Sequence, residues 1–420
     1  MSQPLAGTQS WNCLRLQYLH ITDPMLEPEN SLSSALLAFY HESYYGIIPD
    51  LPAVAALICR PLVSGLWMDH DGLGEARGLR TVLDFKVMLL IFKRIFVTLH
   101  PMKERIWPCP SLDVVVIAER FGKASNAQYA PSFRPVVVVF GGTSGVGAAL
   151  VRAFATHIPP HTGAHIVIVG RSKNAADALI AGLPHISNSR YDFLRVDALL
   201  VHDLRVFIRD QLFGGLGLKK INYLVLSQGE LNVDSTARTS EGFQPTISLM
   251  VYGRARAALD LAPLLQAAAA AGEDARIMSI GAPSTGGPID LDDVGLQKAG
   301  MRAMRGAMIT YTDIYVASLA ERFPDLAVMH VSPGSVPTTG IMRGLPWYLR
   351  LVWMILAWFS SSTITQEESG ERLMFLLVDP ESKKGAFVKN HLNQPAAPST
   401  FMDETSRAVV WRHIEERSDL

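Results

Sequence analysis

Cysteine is scarce in this chain, with three in 420 residues, Cys13, Cys59 and Cys109. Their spacing fits neither a disulfide framework nor a paired-cysteine metal site, so no metal is expected and a reducing compartment is. There is no surplus of either charge, because 38 basic residues face 39 acidic ones. A chain so balanced cannot neutralise a run of phosphates, which argues against a nucleic-acid partner. The N-terminus, MSQPLAGTQSW, lacks the basic start and long apolar core of a secretory signal, and the expectation is a cytoplasmic protein. Long apolar runs are missing as well. Residues 83–99 are apolar but carry Asp84, Lys86, Lys93 and Arg94, and their longest unbroken run, VMLLIF, is far below the roughly 20 residues a spanning helix requires. Residues 345–359, LPWYLRLVWMILAWF, lie by Arg343, contain Arg350 and hold Trp347, Trp353 and Trp358. They are too short to span, and two readings stand: a helix over a greasy substrate pocket, or an interfacial anchor making peripheral membrane contact.

What the chain does have is apolar residues, 49% against 18% charged, enough for a large core. Residues 1–110 show no repeat and no clean period, hold all three cysteines, and read as an irregular N-terminal extension of no assignable role. From residue 111 to about 395 apolar runs of strand length alternate with stretches of helical spacing, and residues 396–420 are left as a C-terminal tail. The strand runs are DVVVIAE, PVVVVF, AHIVIV, YDFLRV, INYLVLS, ARIMSI, LAVMHVS and GAFVK. Most are continuous Val/Ile/Leu runs without polar alternation, as in strands covered on both faces. Helices are expected at 147–157, 243–271 and 301–323, the last with an apolar stripe of Met301, Met304, Met308, Tyr311, Tyr315 and Leu319. The pattern predicts an α/β fold, a doubly wound parallel sheet of the Rossmann type, with ligands beyond the carboxyl ends of the strands.

The run PVVVVF-GGTSGVG-AALVRAFATH places a buried strand, four glycines in seven residues, and then a helix. Such a turn gives tight backbone geometry and close approach to a pyrophosphate, and the free N–H groups of the helix start bind phosphate. Gly141, Thr143, Ser144, Gly145, Val146 and Gly147 are therefore candidate cofactor-binding residues. At the end of the second strand an NAD site usually has a carboxylate for the ribose 2′-hydroxyl. AHIVIVGRSKN instead puts Arg171, Ser172 and Lys173 there, which suits a 2′-phosphate and favours NADP(H) over NAD(H). The plain alternative is that Arg171 is a solvated loop residue.

The spacing Gly141, Gly145, Gly147 resembles the TGxxxGxG fingerprint of the short-chain dehydrogenase/reductase family, with Phe140 in place of the usual Thr. Further matches follow in family order. Asp197, after YDFLRV, resembles the acidic position at the adenine. LVLSQG resembles the NNAG stretch, with Leu226, Ser227 and Gln228 replacing three of its four residues and Gly229 kept, and Pro333, Gly334, Val336 and Thr338 of PGSVPT match the PGxVxT segment beside the nicotinamide amide. The texture is similar to a divergent fungal-type branch, with ASNA ahead of the first glycine strand, GGTSG, LVLSQG, Tyr252-Gly253-Arg254 and ESGERLMFLL. The resemblance implies a nicotinamide cofactor held by these residues together with Ser227.

It also implies a catalytic Tyr, a Lys one helical turn on that favours its phenolate, and a Ser on the preceding strand. None is found in register. Aligning Ser318, Leu319, Ala320 and Glu321 with the family's SLAxE puts Arg305 at the Tyr position and Ile309 at the Lys position; Ala282 falls near the Ser, and Met250 replaces a structural Asn. Ser279 and Tyr311 are the remaining weak catalytic candidates, each with a plain structural alternative, and Lys298 reads as a surface lysine. Two functions compete: an NADP-dependent oxidoreductase acting on a small apolar carbonyl or alcohol, in secondary metabolism by resemblance to that branch, and a non-catalytic NADP-binding scaffold or redox sensor.

Overall fold

A computed structural model describes residues 122–230, 232, 234, 236–336 and 363–419. Seven of the eight expected strand runs lie in that range, and all seven form strands: β1 Val136–Phe140, β2 His165–Gly170, β3 Arg190–Arg195, β4 Tyr223–Leu226, β5 Arg276–Ile280, β6 Ala327–Val331 and β7 Gly385–Lys389. They build one sheet in the order β3-β2-β1-β4-β5-β6-β7, with every neighbouring pair parallel. The doubly wound parallel sheet is thus present. The eighth run, residues 113–119, lies outside the described residues, as do residues 1–110 and 345–359.

The strand sequences explain the layering. In β1, β2, β4, β5 and β6 nearly every residue is buried, whereas the edge strands β3 and β7 are half-buried. Side chains alternate between two cores. Val138, Phe140, Leu224, Leu226, Ile277 and Val328 face one of them; Val137, Val139, Tyr223, Val225, Met278 and Met329 face the other. The helices in chain order are α1 Gly145–His157, α2 Lys173–Ala181, α3 Val201–Phe207, α4 Gly253–Ala270, α5 Met301–Arg322, α6 Gln366–Val378 and α7 Glu404–Ser418. Helices α1, α2 and α6 supply the second core, and α3, α4, α5 and α7 the first. In register, Phe140 stands opposite both Val169 and Leu226. The glycine turn and Ser227 therefore leave the sheet at one level, at its carboxyl end, where the order of connections reverses between β1 and β4.

Three features depart from the sequence pattern. The helix expected over 243–271 is broken: a short turn at Pro245–Ile247 passes through a π-helical stretch, Ser248–Tyr252, into α4. The entry is set by Gln244, whose side chain accepts from the N–H groups of Thr246 (2.6 Å) and Ile247 (3.2 Å), and by Ser248, whose hydroxyl donates to the Leu199 carbonyl at 2.6 Å. The Gln244 cap is local, whereas the bond from Ser248 to Leu199 spans 49 residues and leaves no local signature. Helix α5 is buried far beyond one stripe, with Ile309, Thr310, Thr312, Asp313 and Val316 inside as well, while Met301 at its start is exposed. Thr310 and Asp313 meet Gly287, His330 and Ser399, and α7 packs on α5 and α4 as well. Val410 and Ile414 are buried there, Tyr252 and His413 share a 2.9 Å hydrogen bond, and Arg322 pairs with Glu415 at 2.6 Å. So the segment after residue 396 carries a helix with buried contacts. Among the described residues no helix is long and apolar enough to cross a membrane.

Helices α1 and α6 meet backbone to backbone. A Cβ added at Gly370 would lie 2.5 Å from the carbonyl carbon and oxygen of Ala149, so Gly370→Ala should force the helices apart and cost about 1–3 kcal/mol, the range for overpacking a filled core. Gly182→Ala is the control, because its nearest neighbour would be an ordinary 3.6 Å away. Thermal unfolding followed by circular dichroism should show a Tm several degrees lower for the first and near wild type for the second.

Candidate functional site

The glycine turn forms because only glycine fits. Gly141 (φ +75°) and Gly145 (φ +59°) occupy the left-handed region. Added Cβ atoms would collide, at Gly141 with the Gln228 nitrogen (2.7 Å) and Ser227 Oγ (2.8 Å), and at Gly147 with the Gly141 carbonyl oxygen (2.6 Å) and, closer still, Ser227 Oγ. Ser227 completes the turn: its N–H (3.0 Å) and hydroxyl (2.7 Å) both donate to the Phe140 carbonyl. Ser144 is the extended N-cap of α1 and its side chain accepts no capping bond; the first helical turn has no acidic residue. Thr143 packs on Gly170, where a Cβ would meet its Cγ2 at 2.8 Å. Val146 packs against the core beside α1. The first N–H groups of a thirteen-residue helix thus stand free of side-chain caps above a backbone cradle, which suits an anion.

At the tip of β2, Arg171 extends toward two carboxylates, Asp197 at 4.0 Å and Glu230 at 3.4 Å, with 55% of its side chain exposed. Ser172 is turned away from this group, capping α2 by accepting from the Ala175 N–H. Asp197 also accepts from the Leu199 N–H at 3.2 Å. Pairs this exposed hold weakly, so a phosphate dianion could compete for the guanidinium.

Behind the tips of β4 and β5 lies a buried polar network that motif reading does not reveal. Arg254, on the first turn of α4 and 2% exposed, donates through Nε (3.1 Å) and Nη2 (2.6 Å) to the Gln228 carbonyl, and through Nη1 to Ser279 Oγ (3.1 Å) and the Ile280 carbonyl (2.6 Å). Ser279 shares its other hydrogen bond with the Tyr315 hydroxyl. Burial pulls the Arg254 guanidinium downward, partly opposed by Tyr315. Burial pushes the Tyr315 phenol upward, opposed by the charge of Arg254 and by bonds from Ser279 and Arg254. So of the two catalytic candidates, Ser279 meets Tyr315, while Tyr311 donates to the Val294 carbonyl at 2.9 Å. Its phenol is also raised, chiefly by burial. Ile309 is buried on α5. One strand over, His330 Nδ1 lies 2.6 Å from Asp313 Oδ1, and Asp313 Oδ2 accepts from the Ser399 N–H at 2.8 Å.

The PGSV segment is fastened from α6. The Ser369 hydroxyl donates to the Pro333 carbonyl at 2.7 Å, the Gly334 N–H donates to Ser332 Oγ at 3.2 Å, and the Ile364 N–H donates to the Ser335 carbonyl at 3.0 Å. Gly334 takes φ +79°, with no room for a Cβ against Ile364 Cδ1 at 2.5 Å. Val336 is half-buried, and Thr338 lies outside the described residues. Gly229 borders Arg254 Nη2 and Met250 at 3.5 Å.

A dinucleotide fits the residues at this edge. The cradle accepts only glycine, the helix start is uncapped and unopposed by acid, and the Gln228 side chain, 7% exposed, has neither amide atom hydrogen-bonded. Glu230, Gln228, Arg254 and Tyr315 were not among the sequence candidates. The signals available were weak: Gln228 stands where the family stretch has Ala, and Arg254 in the Tyr-Gly-Arg triplet. Among the described residues no group of His, Cys, Asp and Glu is arranged to hold a metal ion.

No protein-family model matches the chain. Over 318 residues, 72% of this chain and 85% of the relative, it is 26% identical to a short-chain dehydrogenase/reductase of Stachybotrys chartarum. It is 27% identical over 263 residues to an oxidoreductase of Emericella nidulans, covering 61% of this chain and 75% of that one. A polyprenol dehydrogenase of Mus musculus is 23% identical over 252 residues, 59% of this chain and 72% of its own. Among solved structures, an uncharacterized protein of Mycobacterium paratuberculosis has the same fold, with a TM-score of 0.50 and 16% identity over 70% of this chain and 97% of that one.

The cradle makes a direct prediction. Gly147→Ala should weaken dinucleotide binding, because Ser227 cannot retreat from the new methyl without breaking its two bonds to the Phe140 carbonyl. Calorimetric titration with NADPH should show at least about a tenfold loss, equivalent to about 1.4 kcal/mol.

Proposed function

We propose that this chain, a member of the short-chain dehydrogenase/reductase family, is an NADP(H)-dependent oxidoreductase that reduces or oxidises a small apolar carbonyl or alcohol, in secondary-metabolite biosynthesis. The observation that carries this reading is the glycine cradle at the head of α1, with Arg171 at the tip of β2. The names of its relatives, oxidoreductase, short-chain dehydrogenase/reductase and polyprenol dehydrogenase, support redox chemistry, and the last supports an apolar substrate.

When bound, the dinucleotide would donate or accept a hydride at its nicotinamide. The turn from Gly141 to Gly147 would hold its pyrophosphate by backbone N–H groups. Arg171 would leave Glu230 to pair with the 2′-phosphate, the preference for NADP(H) following from that exchange. Asp197 would border the adenine, while Ser227, Gly229 and the Pro333, Gly334, Val336 and Thr338 segment would line the nicotinamide end. Tyr315, which shares a hydrogen bond with Ser279 and feels the charge of Arg254, would be the proton-transferring phenol in place of Tyr311. Residues 345–359 would close over the substrate or, if exposed, rest on a membrane surface.

One observation favours the second reading, a non-catalytic NADP-binding scaffold or redox sensor. Arg254, Ser279 and Tyr315 are buried and bonded to one another, so their polar atoms serve the core first. Incubation with NADPH and a panel of apolar ketones, followed by absorbance, separates the two. Turnover that Tyr315→Phe abolishes while NADPH still binds supports the enzyme; tight binding with no turnover on any substrate supports the scaffold. In either case Arg171→Ala should weaken NADPH by about tenfold or more, one charge-assisted pair, and leave NADH within about twofold. Equal losses for both would remove the assigned preference.

A further inference from the structure

The strongest unexplained group at this edge is the side chain of Gln228. It lies immediately beyond β4, 7% exposed, and neither Nε2 nor Oε1 has a hydrogen-bond partner among the described residues. Folded proteins rarely bury an amide with both ends unmet, because it forfeits its bonds to water and gains none in return. A hydrophobic residue would suit a plain core position better. The main chain of Gln228, in contrast, is closely packed, and its carbonyl is bonded. Its nitrogen faces Gly141 so closely that a Cβ there would lie 2.7 Å away, and its carbonyl accepts from both Nε and Nη2 of Arg254. The same guanidinium grips the Ile280 carbonyl at 2.6 Å. The amide therefore extends from a residue whose carbonyl Arg254 holds and whose backbone packs against the glycine cradle.

We propose that the Gln228 carboxamide is a recognition group for a ribose hydroxyl of the bound dinucleotide. This rests on the dinucleotide reading above. The argument is one of matching: a hydroxyl both donates and accepts, so one ribose edge can meet Oε1 and Nε2 together. A phosphate could satisfy only Nε2 and would repel Oε1. The position differs from the family stretch, whose Ala has no polar side chain there, so the contact belongs to this chain's own sequence. Arg254 acts through Gln228 as a positioning residue, fixing the carbonyl from which the amide extends.

Unmet polarity makes the test two-sided. Gln228→Leu and Gln228→Met keep the approximate volume and remove both orphaned atoms, so without ligand the full chain should unfold at the same temperature as wild type or higher. The same variants should bind NADPH about tenfold more weakly by calorimetry. Adenosine 2′,5′-bisphosphate identifies the ribose: a parallel loss assigns the amide to the adenosine ribose, and unchanged binding assigns it to the nicotinamide ribose. A lower Tm in both variants with NADPH affinity unchanged would overturn the proposal and make the amide an internal structural group. Wild-type protein that binds neither NADPH nor NADH would overturn the dinucleotide reading itself, an outcome distinct from a wild type that binds and variants that bind equally well.

Discussion

A guanidinium buried among neutral partners costs far more in desolvation than a surface arginine does, and it persists only where several good acceptors converge on it. Arg254 meets that condition through two strand-end carbonyls, Gln228 and Ile280, and a serine hydroxyl. Four elements are joined at this point: α4 carries the charge, β4 and β5 end against it, and α5 reaches it through Tyr315 and Ser279. The bonds go to the main-chain carbonyl of the last residue of β5 and to one just beyond β4, so they tie the carboxyl ends of both strands to α4. The π-helical entry to α4 belongs to the same arrangement, since it fixes the phase at which residue 254 faces the sheet.

On the opposite side of the sheet the governing quantity is clearance rather than charge. Gly141 and Gly147 let the first helix start within touching distance of Ser227, and Gly370 lets α6 lie backbone to backbone on α1. Each is a place where one methyl group would separate two elements. The cradle and the helix contact are independent, one shaping the turn where we propose a dinucleotide binds and the other the packing of the layer. Together they explain why small residues recur along α1, whose buried face is largely alanine and glycine.

The chain keeps the doubly wound sheet but departs from the catalytic pattern of the family its sequence resembles. In that alignment Arg305 and Ile309 take the places of a tyrosine and its lysine, while Tyr315, Ser279 and Arg254, from three different elements, bring a phenol, a hydroxyl and a cation together. That assembly lies deeper along α5 and is self-satisfied. Fold and function are separable in this way because the sheet is stabilised by its apolar layers, whereas a site depends on a few polar groups and where they point.

The sequence alone determined the layered part of the protein. Runs such as VVVVF and IVIV are apolar at every position, which suits strands between two helical layers, and strand, glycine turn and helix in that order left one local arrangement. All of these depend on neighbours within a dozen residues, which is why they could be read. The tertiary structure decided what depends on distant partners. The bond from Ser248 to Leu199 helped set the break in the helix expected to run from 243, and Gly287, His330, Ser399 and α7 cover faces of α5 beyond its apolar stripe. Ser279 found its partner in Tyr315, 36 residues on, and the amide of Gln228 in the LVLSQG stretch was left buried without a bond. No periodicity encodes these outcomes, since each is settled by which side chains from elsewhere in the chain arrive at the same place.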